Sequence, residues 1–579
     1  MNNKAGGAMN ALFTGLTALM LLSMPARADD IDLRLRGLDG ELKDNTQIYL
    51  NQLPAIKVEQ LSRFRNEIIT AVTDSLQALG YYNPEIALQQ SPDNPDRVTV
   101  QVNAGEPVRI STLTVTLNGD AQQDPAFAKL QQNFAIKEGD VLHHNRYEQA
   151  KGSLLSLALR RGYFDAAYQL SQVRVRPWDK AADVILDFNS GPRYYFGELQ
   201  IDSDRPADRL VKPLVNIHPG DPYHATQLAE LSRSLSSTRY FKQVEVLPRV
   251  SEADDENRVP VSVLLKARAD NEVELGLGYS TDEGPRASVN WEKPWINSLG
   301  HSLSTNLKIS APSQDVTLVY KIPRGHPLEE YYTIQGGYQR LDQDDTESDR
   351  LVAGVHRWNI DENDWTRDVF LRAEYESYTQ GKQEDSSFLL IPGISYSRTR
   401  VRGDLDPYWG DSQSVTFELS EPWWGSDTRF VRVWGRSKWL RTLTEDHRVL
   451  ARAEQGAVWV DEVQDLPPSL RFFTGGDTTV RGYSYQSITP VDANGDRLGA
   501  KYATALSLEY DYRFAPKWRL ATFVDGGTAT NDYRDDWKIG TGLGVRWLTP
   551  VGPVRLDLAF AVTEEDTPWR LHFTLGPEL

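Results

Sequence analysis

Trp537-Lys538-Ile539-Gly540-Thr541-Gly542-Leu543-Gly544-Val545-Arg546-Trp547 alternates without interruption. Trp537, Ile539, Thr541, Leu543, Val545 and Trp547 share one face, and Lys538, Gly540, Gly542, Gly544 and Arg546 share the other. Period-two alternation predicts a strand, and about 9 to 11 residues is the length that crosses a bilayer at a tilt. The Trp at each end of the apolar face fits the two membrane interfaces, while the glycine-containing polar face fits a lumen.

The same grammar extends outward in both directions. Val554, Leu556, Leu558, Phe560 and Val562 oppose Arg555, Asp557, Ala559 and Ala561, and Trp569, Leu571, Phe573 and Leu575 oppose Arg570, His572, Thr574 and Gly576. Upstream, Tyr502, Thr504, Leu506, Leu508, Tyr510 and Tyr512 oppose Lys501, Ala503, Ala505, Ser507, Glu509 and Asp511. Between Asn271 and Glu578 there are 16 such segments, the first near Asn271–Thr281 and the last near Trp569–Gly576. An even number lets an antiparallel meander close on itself without edges. Of 15 Trp, 14 lie within 271–579, where uniform scatter would place about 8, an excess that suits interfacial girdles. A soluble β-sandwich would explain neither the Trp excess nor the polar second faces.

Composition narrows the class further. The apolar stretch Ala11–Leu22 followed by Ala26-Arg27-Ala28 reads as a secretory signal peptide over 1–28, too short to span a membrane as a helix. Later windows are never apolar enough for a spanning helix. There are no cysteines, which excludes disulfides, thiolate metal sites and a lipoprotein anchor, and the net charge of −18 argues against a nucleic-acid partner.

The first half repeats. Gly80-Tyr81-Tyr82 returns as Gly162-Tyr163-Phe164 and Arg239-Tyr240-Phe241, at spacings of 82 and 77 residues. Gly105-Glu106-Pro107 returns as Gly191-Pro192, and Glu138-Gly139-Asp140 as Pro219-Gly220-Asp221. Between these marks the apolar spacing is helical, as in Leu61, Phe64, Ile68, Val72 and Leu79. Three tandem modules of order strand, helix, helix, strand, strand follow, over 29–105, 106–190 and 191–268. The predicted fold is a membrane β protein: three periplasmic α/β modules, then a 16-stranded antiparallel outer-membrane β-barrel over 269–579.

A weakly patterned stretch, 461–499, separates the eleventh and twelfth barrel segments. Its length marks it as functional. It contains Val480-Arg481-Gly482-Tyr483. If Leu520, Thr522 and Val524 face lipid, then Phe523, Asp525 and Gly527 face the lumen, as do Gly540, Gly542 and Gly544, whose missing side chains admit another backbone. We therefore expect the loop to fold into the lumen and dock on this wall, with Arg481 paired to Asp525 and lying against Phe523.

These residues carry a resemblance. The loop Val480–Tyr483, the strand Phe523-Val524-Asp525-Gly526-Gly527 and the run Gly540–Pro553 resemble the BamA/TamA superfamily of outer-membrane assembly and secretion proteins. The three modules resemble POTRA domains. That number, with the ending Phe573-Thr574-Leu575-Gly576-Pro577-Glu578-Leu579, resembles the TamA branch more than BamA, which usually carries five, or the two-partner secretion transporters, which carry two. The resemblance covers nearly the whole chain after residue 28.

It implies an assembly or translocation factor that inserts or folds outer-membrane proteins, autotransporters among them, through a lateral seam between the first and last barrel strands. The seam would set Asn271, Val273, Leu275 and Leu277 against Trp569, Leu571, Phe573, Leu575 and Gly576. Gly576 and Pro577 would weaken pairing there. Implied partners are unfolded outer-membrane clients, the lipid bilayer and a TamB-like periplasmic protein anchored in the inner membrane, engaged through the first module. A secretion channel or passive pore of the same barrel class is the alternative, and a barrel lipase a more distant one.

No cofactor or metal is called for. The nine His form no His-Glu-x-x-His pattern, and there is no Gly-x-Ser-x-Gly elbow. His143-His144 reads as solvated surface. Asp492-Ala493-Asn494-Gly495-Asp496 reads as a hairpin turn rather than a calcium loop, since Arg497 stands where such a loop needs Gly and Ala503 where it needs Glu.

Overall fold

The computed structural model describes residues 31–54, 57–403, 406–532, 537–550 and 552–575. The predicted signal peptide, 1–28, and Gly576 lie outside the described residues.

The first module comprises β1 (Asp32–Arg36), α1 (Gly40–Asn51), α2 (Leu61–Gln77), β2 (Glu85–Gln90) and β3 (Arg97–Asn103), with sheet order β1-β3-β2. The second comprises β4 (Arg109–Asn118), α3 (Pro125–Gln132), α4 (His144–Arg160), β5 (Ala167–Arg176) and β6 (Ala181–Asn189), with order β4-β6-β5. The third comprises β7 (Tyr195–Ser203), α5 (Asp208–Val211), α6 (Ala225–Ser237), β8 (Phe241–Pro248) and β9 (Arg258–Ala267), with order β7-β9-β8. In each, the central strand is the last in sequence, and its alternate residues, such as Val98, Val100 and Val102, are buried.

The repeated sequence marks are helix stops. Gly80 and Gly162 have φ of 92° and 77°, so the N–H groups of Tyr81 and Tyr163 turn back to the carbonyls of Leu76 and Ala158. The third stop, Arg239, takes the same left-handed conformation at φ 60° without being glycine.

The chain forms two compact units: the first runs to Glu198 and adds His218–Thr226 and Arg249–Pro260, and the second holds Leu199–Ile217, Gln227–Pro248 and everything from Val261 onward. Within the first unit the modules meet through polar contacts. His143 bonds Glu41 at 3.1 Å and His144 bonds the Tyr82 hydroxyl at 2.6 Å, so this pair is a joint and not the solvated surface expected from sequence. The next joint is ionic: Asp124 accepts from Arg161 Nε at 2.6 Å, Arg193 Nη1 at 3.0 Å and the Tyr163 hydroxyl at 3.1 Å. Burial opposes the charge of Asp124, but the bonds from Arg161, the Ala126 N–H and Tyr163 outweigh it and hold the carboxyl below the usual range.

The barrel is closed and sequential. Its strands are β10 (Glu272–Ser280), β11 (Gly284–Lys293), β12 (Ser302–Ser310), β13 (Ser313–Pro323), β14 (Glu330–Gln343), β15 (Thr346–Ile360), β16 (Thr366–Gln380) and β17 (Gln383–Arg402), then β18 (Trp409–Ser420), β19 (Phe430–Thr444), β20 (His447–Trp459), β21 (Tyr502–Ala515), β22 (Trp518–Thr530), β23 (Lys538–Thr549), β24 (Gly552–Ala561) and β25 (Trp569–Leu575). The alternation sorts side chains: Leu520 and Val524 are half exposed on the outside, whereas Phe523 and Asp525 are buried within. Trp518 and Trp547 stack on neighbouring strands at 5.3 Å, with their rings on the outer face. Two other Trp are not girdle residues, because each indole N–H has an internal acceptor: Trp295 donates to the Tyr240 carbonyl and Trp434 to Glu454.

Candidate functional site

The connection between β20 and β21 carries three internal anchors. Arg471, buried, donates to the carbonyls of Leu466, Leu498 and Gln464 and to Gln383 Oε1, which ties the two arms of the loop together. Arg497 pairs with Asp344 at 2.6 Å in the β14–β15 turn. Asp492–Asp496 is a tight turn closed on the Asp492 carboxylate, which accepts from the N–H groups of Asn494 and Asp496.

The third anchor is Val480-Arg481-Gly482-Tyr483. Arg481 donates to Asp525 in a fork, Nε to Oδ2 at 2.7 Å and Nη2 to Oδ1 at 2.9 Å, and its backbone N–H reaches the same carboxylate. Nη1 also donates to Glu509 at 2.6 Å and Asp557 at 3.2 Å, and the guanidinium lies 3.4 Å from the centre of the Phe523 ring. Arg546 bridges the same Glu509 and Asp557. Two arginines thus lie among three carboxylates, all buried, and the network is held by strands β21 to β24.

Glycine shapes the wall. A Cβ on Gly540 would collide with the Arg481 carbonyl oxygen, and one on Gly527 would meet Val480 and Thr474. Gly542 and Gly544 make room differently: a Cβ there would strike the Leu558 carbonyl and Phe523, or Asp557 and Arg546, so these two admit the wall's own groups rather than the loop. Gly482, at φ 97°, passes so close to the backbone of Phe560 and Ala561 that a side chain has no space. Tyr483 bonds the Thr563 hydroxyl at 2.6 Å.

The loop also touches both sides of the seam. The Asp477 N–H donates to Asp282 at 2.7 Å in the β10–β11 turn, and the Asp477 carboxylate bonds His572 Nδ1 on β25. His572 Nε2 accepts the Gly482 N–H at 3.0 Å. That acceptor role puts the ring proton on Nδ1, for donation to Asp477. Asp282, Asp477 and His572 stand close enough to hold a cation, with one ligand atom from each within 4.8 Å of the others, yet with both ring nitrogens engaged they act as a hydrogen-bond relay. Burial and the neighbouring Asp477 carboxylate push the Asp282 carboxyl up to about 6.

The seam differs from its expected form. Antiparallel pairing joins β10 to β25 at one position, Ser280 with Thr574, supplemented by bonds between Thr281 and Phe573, including Phe573 N–H to Thr281 Oγ1 at 2.7 Å. Val273, Leu275 and Leu277 are therefore not set against Trp569 and Leu571. Stagger is the reason: β25 meets β10 only at its far end, next to Tyr279 and Phe573, whose rings touch edge to face at 5.6 Å. Among the described residues, Glu272–Tyr279 has no partner strand on this side, and Leu275 and Leu277 are 79% and 86% exposed. Asn271 precedes β10 and accepts from the Trp291 indole at 3.2 Å.

Sequence reasoning did not single out Glu509, Arg546, Asp557 or His572. Each lies in phase with the lumen-facing set of its strand, which was the available signal. Asp282 sits in a turn, where no phase exists to read.

A family model described as the Omp85 superfamily domain matches residues 269–578, and one described as POTRA domain TamA domain 1 matches residues 32–104. The chain is 24% identical over 464 residues to the outer membrane protein assembly factor BamA of Nitratidesulfovibrio vulgaris, covering 72% of this chain and 55% of that protein, so it spans about half of that relative. It is 22% identical to the BamA of Neisseria meningitidis serogroup B, covering 87% of this chain and 72% of that one. The crystal structure of BamA from Haemophilus ducreyi lacking POTRA domains 1–3 superposes with a TM-score of 0.65 at 15% identity, over 81% of this chain and 99% of that one, a likeness of fold.

Proposed function

The chain belongs to the Omp85 superfamily, and from that membership and the geometry of its seam we propose that it assembles or translocates other proteins at the outer membrane. It is an outer-membrane barrel with its N-terminal POTRA modules in the periplasm.

The observation that carries the reading is the edge of β10. Its other side pairs with β11 over the whole of Glu272–Ser280, but towards β25 it has one bridge. Among the described residues, about four N–H and four C=O groups of Glu272–Tyr279 therefore have no strand partner on this side, and beside lipid each unsatisfied group costs several kcal/mol. An incoming client strand would satisfy them by β-augmentation. Asp477 with Asp282 on one side, and Gly482 with His572 on the other, hold the loop at the joined end of the seam, next to the Ser280–Thr574 pair.

We read the clients as unfolded outer-membrane proteins, autotransporters included. The partner would be a TamB-like periplasmic protein reaching the first module, a reading supported by the match of that module to TamA domain 1. The buried loop disfavours a passive pore.

The chain has no cysteine of its own, so Ser280→Cys with Thr574→Cys gives a single addressable staple. Oxidised protein in lipid vesicles is expected to lose client insertion and to regain it on reduction. Equal insertion by the stapled form would sink the reading.

A further inference from the structure

A cavity of about 250 Å³ lies in the lumen beside the loop, lined by Arg436, Lys438, Arg452 and Arg555, with Thr478 of the loop and Thr574 of β25. Lys438 and Arg452 face each other across β19 and β20, and Arg555 stands opposite Arg546 on one side and Thr574 on the other.

Two carboxylates, Glu454 and Asp477, also line the cavity. Each is engaged through one oxygen or more, although Asp477 Oδ2 is buried without a partner, and those farther away are engaged too. Glu454 accepts from Trp434 and pairs with Arg436 at 3.4 Å, Asp477 holds His572, and Glu509 and Asp557 hold Arg481 and Arg546. Among the described residues no ion pair reaches Lys438 or Arg555. Arg452 has one ion pair, to Asp525 at 4.0 Å, through an oxygen that Arg481 holds more closely, and its Nη groups donate to the Thr478 carbonyl and to Ser507 Oγ. The Nε atoms of both Arg452 and Arg555 are buried without an acceptor.

Three like charges turned into one partly open cavity repel, and buried Nε–H donors without acceptors carry a desolvation penalty. A bound anion relieves both. Guanidinium forks and an ammonium arriving from different strands, with hydroxyls between them, suit a tetrahedral oxyanion better than a planar carboxylate.

We propose that this cavity binds a phosphate group. The basic pocket stands out in a chain whose net charge is −18. Phosphate could arrive free, or on an anionic lipid headgroup entering at the seam, which Thr574 borders. The site adjoins the Arg481 network, with which Arg452 shares Asp525 and Ser507, and does not depend on the proposed assembly activity.

The test is calorimetric titration of the full-length protein in non-ionic detergent with inorganic phosphate and, separately, with short-chain phosphatidylglycerol. Saturable binding is expected, weakened about tenfold by Arg555→Gln and again by Lys438→Gln, as loss of a charge-assisted bond implies. Binding of inorganic phosphate points to the free ion, and binding of the lipid alone points to the headgroup. No saturable binding of either probe, or binding indifferent to both substitutions, overturns the proposal. Each substitution removes a cation without a partner, so heat-modifiable migration in phosphate-free buffer should persist. A variant that lost it would show these cations to be structurally paired and would also overturn the assignment.

Discussion

Arg481 has a side chain only 4% exposed and touches three carboxylates, the least exposed of them, Asp525, at 0%. Such a cluster compensates its buried charges only as a set. Removing the guanidinium leaves Asp525 and its share of Glu509 and Asp557 as buried, uncompensated charge, so Arg481→Ala should destabilise the barrel by about 3 to 5 kcal/mol. Arg481→Lys should recover part of this, since an ammonium restores the charge but cannot make the fork to Asp525 while also reaching Glu509. Urea midpoints of the two variants in micelles, with heat-modifiable migration as a second readout, would show the order wild type, lysine, alanine. An alanine variant as stable as the wild type would mean that the ionic contacts do not hold the loop. At this scale the sequence was informative where one strand sufficed. The phase of β22 placed Phe523 and Asp525 inside together, and the alternation of β23 placed its glycines opposite them. Partners contributed by a third or fourth strand, Glu509 and Asp557, required a register that no single strand encodes.

Between the loop and strand β23 the limiting dimension is the thickness of a backbone. Gly540 leaves space that the Arg481 carbonyl fills, so Gly540→Ala must push the loop off the wall or bend the strand, at about 1 to 3 kcal/mol. Gly336 on β14 faces open space where a methyl would go and has no positive φ, so Gly336→Ala is the matched control and should be close to neutral. Equal unfolding midpoints for the two variants would contradict the close approach. The inward glycines were legible as space, but what occupies each space was not: only Gly540 and Gly527 face the loop, whereas Gly542 and Gly544 accommodate Phe523, Asp557 and Arg546. The helix stops of the modules were legible as a recurring Gly-aromatic mark, although Arg239 shows the conformation persisting where glycine does not. The roles of His143 and His144 escape sequence reading because their partners, Glu41 and Tyr82, are 102 and 62 residues away.

Closure belongs to the whole molecule, and it is where sequence reading stopped short. Counting alternating segments gives the number of strands, but stagger is a property of the closed cylinder, and it decides how much of the first strand meets the last. Among the described residues it leaves β10 bound to β11 at every residue from Glu272 to Ser280 and paired to β25 at Ser280 alone. By contrast β16 is paired along its full length on both sides, to β15 and to β17. Amide exchange reads this difference without reference to any activity, because protection follows the hydrogen bonds that must open. In micelles, the amides of Glu272–Tyr279 that point away from β11 should exchange far faster than their alternate neighbours and than any interior amide of β16. Arg481→Ala should extend fast exchange to Thr281 and Phe573, whose mutual bonds lie beside the relay of Asp282, Asp477 and His572 that the loop supports. Uniform protection along β10 would mean that the seam is sealed, and that the loop braces a barrel which does not open there.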